Sequence, residues 1–511
     1  MSANLYARFH VLASDGARPF IRRPGTAALS YADMHVRSAQ YANALLDLGV
    51  EPGERVVVQA ESSAELILLY LGVLRAGAVY VPLNTAYTLA EVEYFIADSQ
   101  ARVVVCAPGK LTALLPIAQR LGVAHVVTLG ADGQGGSLAG RADSQPGSCF
   151  DVARVESDLA AIIYTSGTTG RSKGAMLTHG NLAANAFSLK VCWRYTSADV
   201  LLHFLPLFHI HGLFVALHVT LAAGASIILL PAFTNDGVVA HLPAATVMMG
   251  VPTHYLRLLR EPRIDRTSTA HLRLCISGSA PLLPETHREW LERTGHSILE
   301  RYGMSETGIN TSNPCDGERR PGSVGLPLPG VSLRVVDIDS GARLGADAVG
   351  MIEVRGPNVF PGYWRMPDRT RAEFRADGYF VTGDVGMVDA RGYLHIVGRG
   401  KDVIITGGFN VYPREVEAAI DAIPEVLESA VFGVPHPDFG EAVSAAVVLQ
   451  GDAGIPSPEL SESAILERLH ERLAGYKCPK RVLFRAELPR NAMGKVQKNV
   501  LREQYANLYR T

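Results

Sequence analysis

The chain has 511 residues, of which 48% are hydrophobic and 19% charged, and its formal net charge is −2. That length exceeds one ordinary core and sets an expectation of about three domains; the near balance of charge argues against a dedicated nucleic-acid binder, because no basic excess is present to neutralise a phosphate backbone. Six scattered cysteines (Cys106, Cys149, Cys192, Cys275, Cys315, Cys478) form no CxxC pair, which fits reduced thiols in a cytosolic protein better than a disulfide scaffold or a zinc site.

The opening stretch MSANLYARFHVLASDG carries no apolar core of signal-peptide length, so the cytoplasm is the expected compartment. RVVVQA (55–60) reads as a strand, SSAELILLYLGVLRAG (62–77) as a helix and AVYVPLN (78–84) as a second strand; such apolar runs suit a parallel sheet covered on both faces. The Gly/Ser-rich stretch 130–148 reads as a surface loop. AAIIY is a strand running into TSGTTGRSKG. Further on, GLFVALHVTLAAGASIILLPAF (212–233) is uncharged over a membrane-like length. His218 and the Ala223-Gly224 break divide it into a helix, a turn and a buried strand, and no membrane partner is expected. ATVMMGVP before THYLRLLR, and LRLCISGS before LPETHREWLERTG, repeat the strand-then-helix order. The class is therefore α/β, with a large N-terminal domain of parallel-rich sheets and flanking helices. After the charged break Gly398-Arg-Gly-Lys-Asp402 come a helix (PREVEAAIDAI), two strands (ESAVFGV, AVSAAVVL), a helix (ESAILERLHERLAGY) and a Lys-rich tail. Residues 1–400 are expected as the large domain and residues 401–511 as a small α+β C-terminal domain.

The stretch YTSGTTGRSKG (164–174) has the ingredients of a phosphate loop without following GxxxxGK[ST], since Lys173 follows Ser172 and precedes Gly174. Gly167 and Gly170 let successive backbone N–H groups turn toward one anion, and the hydroxyls of Thr165, Ser166, Thr168 and Thr169 add donors. Lys173 supplies a point charge. Taken alone, such a motif is equally consistent with a ligand-free Gly/Ser/Thr loop.

Six further segments change that balance: LPLFHIHGL (205–213), SGSAPL (277–282), RYGMSET (301–307), FVTGDVG (380–386), GRGKDVIITGGFNVYPREVE (398–417) and LPRNAMGKVQK (488–498). With the loop, and in this order, they resemble the adenylate-forming acyl-CoA synthetases, a superfamily that includes peptide-synthetase adenylation domains and beetle luciferases. The resemblance implies that a carboxylate attacks the α-phosphate of Mg-ATP to give an acyl-adenylate and pyrophosphate, after which the thiol of coenzyme A displaces AMP. Catalysis of the first step is then mainly positioning and electrostatic stabilisation. It further implies that the 165–170 loop and Lys173 hold the β- and γ-phosphates, with Ser172 where proline is commonest. Thr307 would touch the α-phosphate and Glu306 help hold Mg²⁺. Tyr302 would stack on adenine, with Gly278, Ser279 and Ala280 as its wall, and Asp384 would accept the ribose hydroxyls with Arg399 nearby. Lys495 would bridge the carboxylate and α-phosphate oxygens; charge patterning alone would leave it a solvated tail lysine. Lys401 takes the place of the hinge about which the small domain moves, and Gly407 and Gly408 would line a narrow passage for the pantetheine arm.

A closer resemblance, carried by SGSAPLLPETHREW (277–290), NTSNP (310–314), RGPNVFPGYWRMP (355–367) and GGFNVYP (407–413), is to the malonyl-CoA synthetases. A diacid buries a second carboxylate, which needs a cation and donors. The resemblance assigns that task to Arg288, with His211 as its partner, and makes His209 a gate beside the acyl pocket. Ile210 stands where the subfamily usually has Thr, and Ile309 where it usually has Met. Losing a hydroxyl and gaining a β-branched wall implies tolerance of C2-substituted malonates, methylmalonate above all. Other readings stay open: a synthetase for another small or aromatic monocarboxylic acid, an adenylation module, or a nucleotide-binding regulator without catalysis. The expected partners are small molecules (malonate or methylmalonate, ATP, coenzyme A), and the sequence sets no oligomeric state.

Overall fold

A computed structural model describes residues 2–10, 15–131, 135–165, 172–450, 460–491 and 494–509. The chain forms two compact units, one made of Met1–Ser332 with Val354–Phe380 and the other of Leu333–Glu353 with Val381–Thr511. Among the described residues no helix is long and apolar enough to cross a membrane.

The first unit holds two large sheets. One runs in the order His125–Thr128, Ala101–Cys106, Arg55–Gln59, Val79–Pro82, Leu159–Thr165, Lys173–Thr178. Its neighbours are parallel up to the last pair, which is antiparallel and flanks the Gly/Ser/Thr loop. The expected strand–helix–strand unit is present as Arg55–Gln59, helix Ala64–Arg75 and Val79–Pro82. The helix starts where the Ser63 hydroxyl accepts the Leu66 N–H, and nearly every residue of it is buried, so the apolar run belongs to a helix packed on several sides. The second sheet has nine strands, with a parallel centre of Ser226–Leu229, Val200–His203, Val247–Gly250, Leu274–Ser277 and Ile298–Met304. Gly308–Ser312 and Leu326–Pro327 extend it antiparallel at one edge.

The uncharged stretch 212–233 divides as expected into helix, turn and strand: π-helix His211–Leu217, α-helix His218–Ala223, Gly224 at φ +64°, and strand Ser226–Leu229. The 130–148 stretch is not all loop. Ser137–Asp143 is a helix that buries Leu138, Ala139 and Ala142; its Gly-rich flanks conceal a short apolar face that only packing reveals.

The second unit contains most of a four-stranded sheet (Ser332–Val336, Gly350–Arg355, Phe380–Val388, Leu394–Arg399) and a five-stranded one. The latter pairs Val426–His436 with Gly440–Leu449 antiparallel, adds Arg481–Phe484 in parallel, and buries Ile404, Val416, Ile420, Val443 and Ile465 against helices Pro413–Asp421 and Glu462–His470.

Candidate active site

The segment ILERYGMSETGINTS folds as a hairpin at the sheet edge, with Met304 opposite Gly308 and Ser305, Glu306 and Thr307 forming its tip. Gly308 turns the chain at φ +63°, a region open to glycine without strain. Thr307 is fully buried: its Oγ1 accepts from Asn310 Nδ2 at 2.9 Å, and its carbonyl accepts from Asn358 Nδ2 at 2.8 Å. Glu306 is also buried, and its carboxylate accepts the Tyr363 hydroxyl at 3.0 Å. Tyr302 is buried one strand-step back, opposite Thr311. The hairpin thus presents a hydroxyl and a carboxylate on rigid backbone, a donor set suited to phosphoryl oxygen and a hard cation.

Thr165 ends one strand and Lys173 opens the next, directly opposite it. Ser166, Gly167, Thr168, Thr169 and Gly170 lie outside the described residues. The loop's far side is tied by Tyr94, whose hydroxyl donates to the Ser172 carbonyl at 2.7 Å. Lys173 Nζ lies 3.1 Å from Glu373 Oε1 and 4.2 Å from the centre of the Tyr363 ring. Glu373 also binds Arg369 at 2.6 Å and accepts the Tyr363 hydroxyl at 2.7 Å. Burial first, then the charges of Glu306 and Glu373, raise the Tyr363 phenol far above its ordinary range, so it keeps its hydrogen.

The acyl-pocket assignment of Arg288 is corrected by the structure. Helix Pro284–Thr294 buries Thr286, His287, Trp290 and Thr294 and caps at Gly295, φ +79°. Arg288, a helical step of about 100° past His287, points outward with 62% of its side chain exposed and pairs with Glu285. A buried cation, Arg301, lies in the strand that follows. It is 5% exposed, and its Nε and Nη2 meet no hydrogen-bond partner among the described residues. Its guanidinium lies against Gly278, where a methyl group would overlap it. Burial lowers its pKa to about 9, with Tyr255 acting the other way; a guanidinium stays charged even so, and the burial is better read as demand for an anion.

Around Arg301 stand further unmet polar atoms. His211 is fully buried; its Nδ1 lies 3.3 Å from Ser279 Oγ and, among the described residues, its Nε2 has no hydrogen-bond partner, as is true of the Ser277 hydroxyl. Burial, and next Arg301, hold His211 well below the usual imidazole range, so it is neutral. Ser279 sits at φ +69°, a strained conformation for a residue with a Cβ, adjoining Gly278 and Ala280. His209 Nδ1 accepts the His211 N–H at 3.2 Å. Ile210, Asn185, Phe214, Thr307 and Gly308 line a small cavity, and Ile309 is clamped by Asn185 through both its N–H and its carbonyl.

In the second unit Asp384, buried, faces Arg399 across the strand pair and forms an ion pair at 3.0 Å. Lys495 still reaches solvent, but the protein around it strips enough water, and Arg399 adds enough repulsion, to bring its pKa to about 8. Lys401 lies in a short 3₁₀ turn, Gly400–Asp402, between strands, and desolvation lowers its pKa too. Gly407 (φ +56°) and Gly408 (φ +83°) form the two-residue turn between Ile404–Thr406 and Phe409–Val411; two successive positive φ values demand glycine there whatever passes by.

Sequence reasoning passed over Arg301, Tyr363 and Glu373. Arg301 had a signal: in ILERYGM it occupies the centre of a strand, between Glu300 and Tyr302, and a strand-centre arginine is rarely buried unless partnered. Tyr363 lies in a segment read only for its likeness, and Glu373 had no local mark at all.

The architecture is that of the adenylate-forming enzymes. The chain belongs to the AMP-binding enzyme family, whose main domain matches residues 10–364 and whose C-terminal domain matches residues 415–495. The crystal structure of ATP-bound MatB from Rhodopseudomonas palustris is 54% identical, with all of both chains covered and a TM-score of 0.97. The malonate–CoA ligase of Arabidopsis thaliana is 36% identical over 482 residues, 89% of this chain and 78% of that protein. The mitochondrial malonate–CoA ligase ACSF3 of Mus musculus is 36% identical over 518 residues, 93% of this chain and 86% of that protein.

Proposed function

We propose that this chain is an ATP-dependent, AMP-forming acid–thiol ligase that joins malonate, and methylmalonate besides, to coenzyme A through an acyl-adenylate. The observation that carries the reading is Arg301: a buried guanidinium whose Nε–Nη2 edge is unmet offers two parallel hydrogen bonds to one planar carboxylate. A monocarboxylic acid would leave that charge uncompensated, at a cost of several kcal/mol. The relatives that act on malonate support the same substrate.

In the first step the substrate's near carboxylate attacks the α-phosphorus, a P–O bond forms, and the bond to pyrophosphate breaks. Arg301 holds the far carboxylate, and His211, 3.3 Å from Ser279 Oγ through its Nδ1, would serve as its partner in the Nε2–H tautomer. Thr307 receives an α-phosphate oxygen. Glu306 would take the Mg²⁺ that ATP brings, which supplies charge neutralisation at the phosphates. Lys173 and the 165–170 loop serve the leaving polyphosphate, Tyr302 with Gly278–Ala280 the adenine, and Asp384 with Arg399 the ribose. Lys495 carries the bridging ammonium for this step. For the second step Lys401 is the hinge of a mobile C-terminal domain, residues 401–511, and Gly407 and Gly408 border the path of the thiol. Six free cysteines agree with a cytoplasmic setting.

The test is a coenzyme A thioester assay over malonate, methylmalonate, ethylmalonate, succinate, acetate and a cinnamate. Malonate and methylmalonate should lead, within about a hundredfold of each other, because one methyl against an apolar wall supplies no more discrimination than that. Preference for a monocarboxylic acid overturns the reading. Pyrophosphate release from ATP and malonate without coenzyme A checks the order of steps.

A further inference from the structure

The phosphate-directed lysine is already engaged. Lys173 and Glu373 are each about four-fifths buried (18% and 17% of the side chain exposed), and their 3.1 Å ion pair occupies the ammonium that the functional reading assigns to polyphosphate. Glu373 is not dependent on this partner. Arg369, four residues earlier on helix Pro367–Glu373, pairs with the same oxygen, Oε1, at 2.6 Å. The other oxygen, Oε2, lies 2.7 Å from the Tyr363 hydroxyl. That hydroxyl has one hydrogen and two carboxylate neighbours, Glu373 and, at 3.0 Å, Glu306. It serves them one at a time.

Resting on the ATP-dependent reading above, we propose that Glu373 is a holding counter-ion for Lys173, displaced from it by polyphosphate, and that Tyr363 couples this release to Glu306. While Lys173 is held, Glu373 has two cations and shares the hydroxyl, 2.7 Å from it, with Glu306 at 3.0 Å. When Lys173 turns to phosphate, Glu373 keeps Arg369 and gains the hydroxyl hydrogen, so no carboxylate is left buried without a donor. Glu306 is then released from the hydroxyl to meet a cation arriving with the nucleotide. Glu373 and Tyr363 are positioning residues: they touch Lys173 and Glu306 and need not touch substrate.

The exchange sets a measurable cost on nucleotide binding, because polyphosphate must compete with Glu373. Glu373→Gln keeps the shape and the contact to Tyr363 but removes the competing charge. Titration calorimetry on the full chain, with MgATP and with Mg-pyrophosphate and no acid present, should show binding about three- to tenfold tighter in E373Q, the scale of one partly buried ion pair. In a Lys173→Met background the same substitution should change binding by less than about 1.5-fold, since nothing is left to release. A second measurement needs no nucleotide: Lys173 should be labelled faster by an amine acylating reagent in E373Q than in wild type, read by peptide mass spectrometry. Unchanged or weaker MgATP binding in E373Q, or equal gains with and without Lys173, overturns the proposal and leaves the ligase reading standing. A wild-type chain that binds no MgATP overturns both.

Discussion

Two cations of the first unit await anions in different ways. Arg301 is buried and, among the described residues, its Nε and Nη2 have no hydrogen-bond partner, while Lys173 is held by Glu373 and lies over the Tyr363 ring. The difference follows from what each must recognise. On the proposed reading, a small diacid would bring a single far charge to Arg301, and acids lacking that charge would leave the guanidinium uncompensated. A polyphosphate brings several charges and can displace a carboxylate, so its lysine can rest in a neutral pair.

The sharpest way to break this contrast is to remove the unpaired cation. Arg301→Met should lower kcat/KM for malonate by about 10³, the loss expected when a buried charge pair is denied one partner. The same variant should melt about 2 °C or more above wild type, because an uncompensated buried charge has gone. Activity lost with no gain in Tm would mean that Arg301 is paired in the resting protein. Filling the space beside the guanidinium is milder. Gly278→Ala should displace Arg301 and reduce malonate kcat/KM by about 10², in line with a misplacement of roughly 1 Å, and steady-state kinetics on malonate and on acetate should find the larger effect on malonate.

Lys495 extends the comparison to the second unit. Its ammonium is present below a pKa of about 8 and lost above it, so the pyrophosphate-forming step should fall as pH rises through that value, toward tenfold per unit. Arg399 pushes the pKa down, and Arg399→Met should move the alkaline limb upward in a pH–rate profile; a limb that stays in place would remove Lys495 as its source. The smallest effect belongs to the exposed arginine. Arg288→Ala should leave kcat/KM for malonate within about twofold, as surface ion pairs contribute little; a collapse there would return the distal carboxylate to the helix.

The alternation of strands and helices was legible in the sequence because it rests on local periodicity. Even the outward side of Arg288 was latent: residues 286, 287, 290 and 294 share one helical face and 288 does not. The pairing of Asp384 with Arg399 needed only the short connection between two antiparallel strands. The helix at Ser137–Asp143 was hidden, its apolar face being too short to announce itself between glycines.

By itself, then, the sequence determined the class of fold, the order of the motifs and which residue types were on hand for nucleotide chemistry. Only the tertiary structure decided which arginine is inside, and that Lys173, Tyr363, Glu373 and Glu306 form one chain of contacts spanning two hundred positions between Lys173 and Glu373. Burial and charge compensation are sums over neighbours distant along the chain, and a guanidinium's environment is set by what packs around it rather than by the residues on either side.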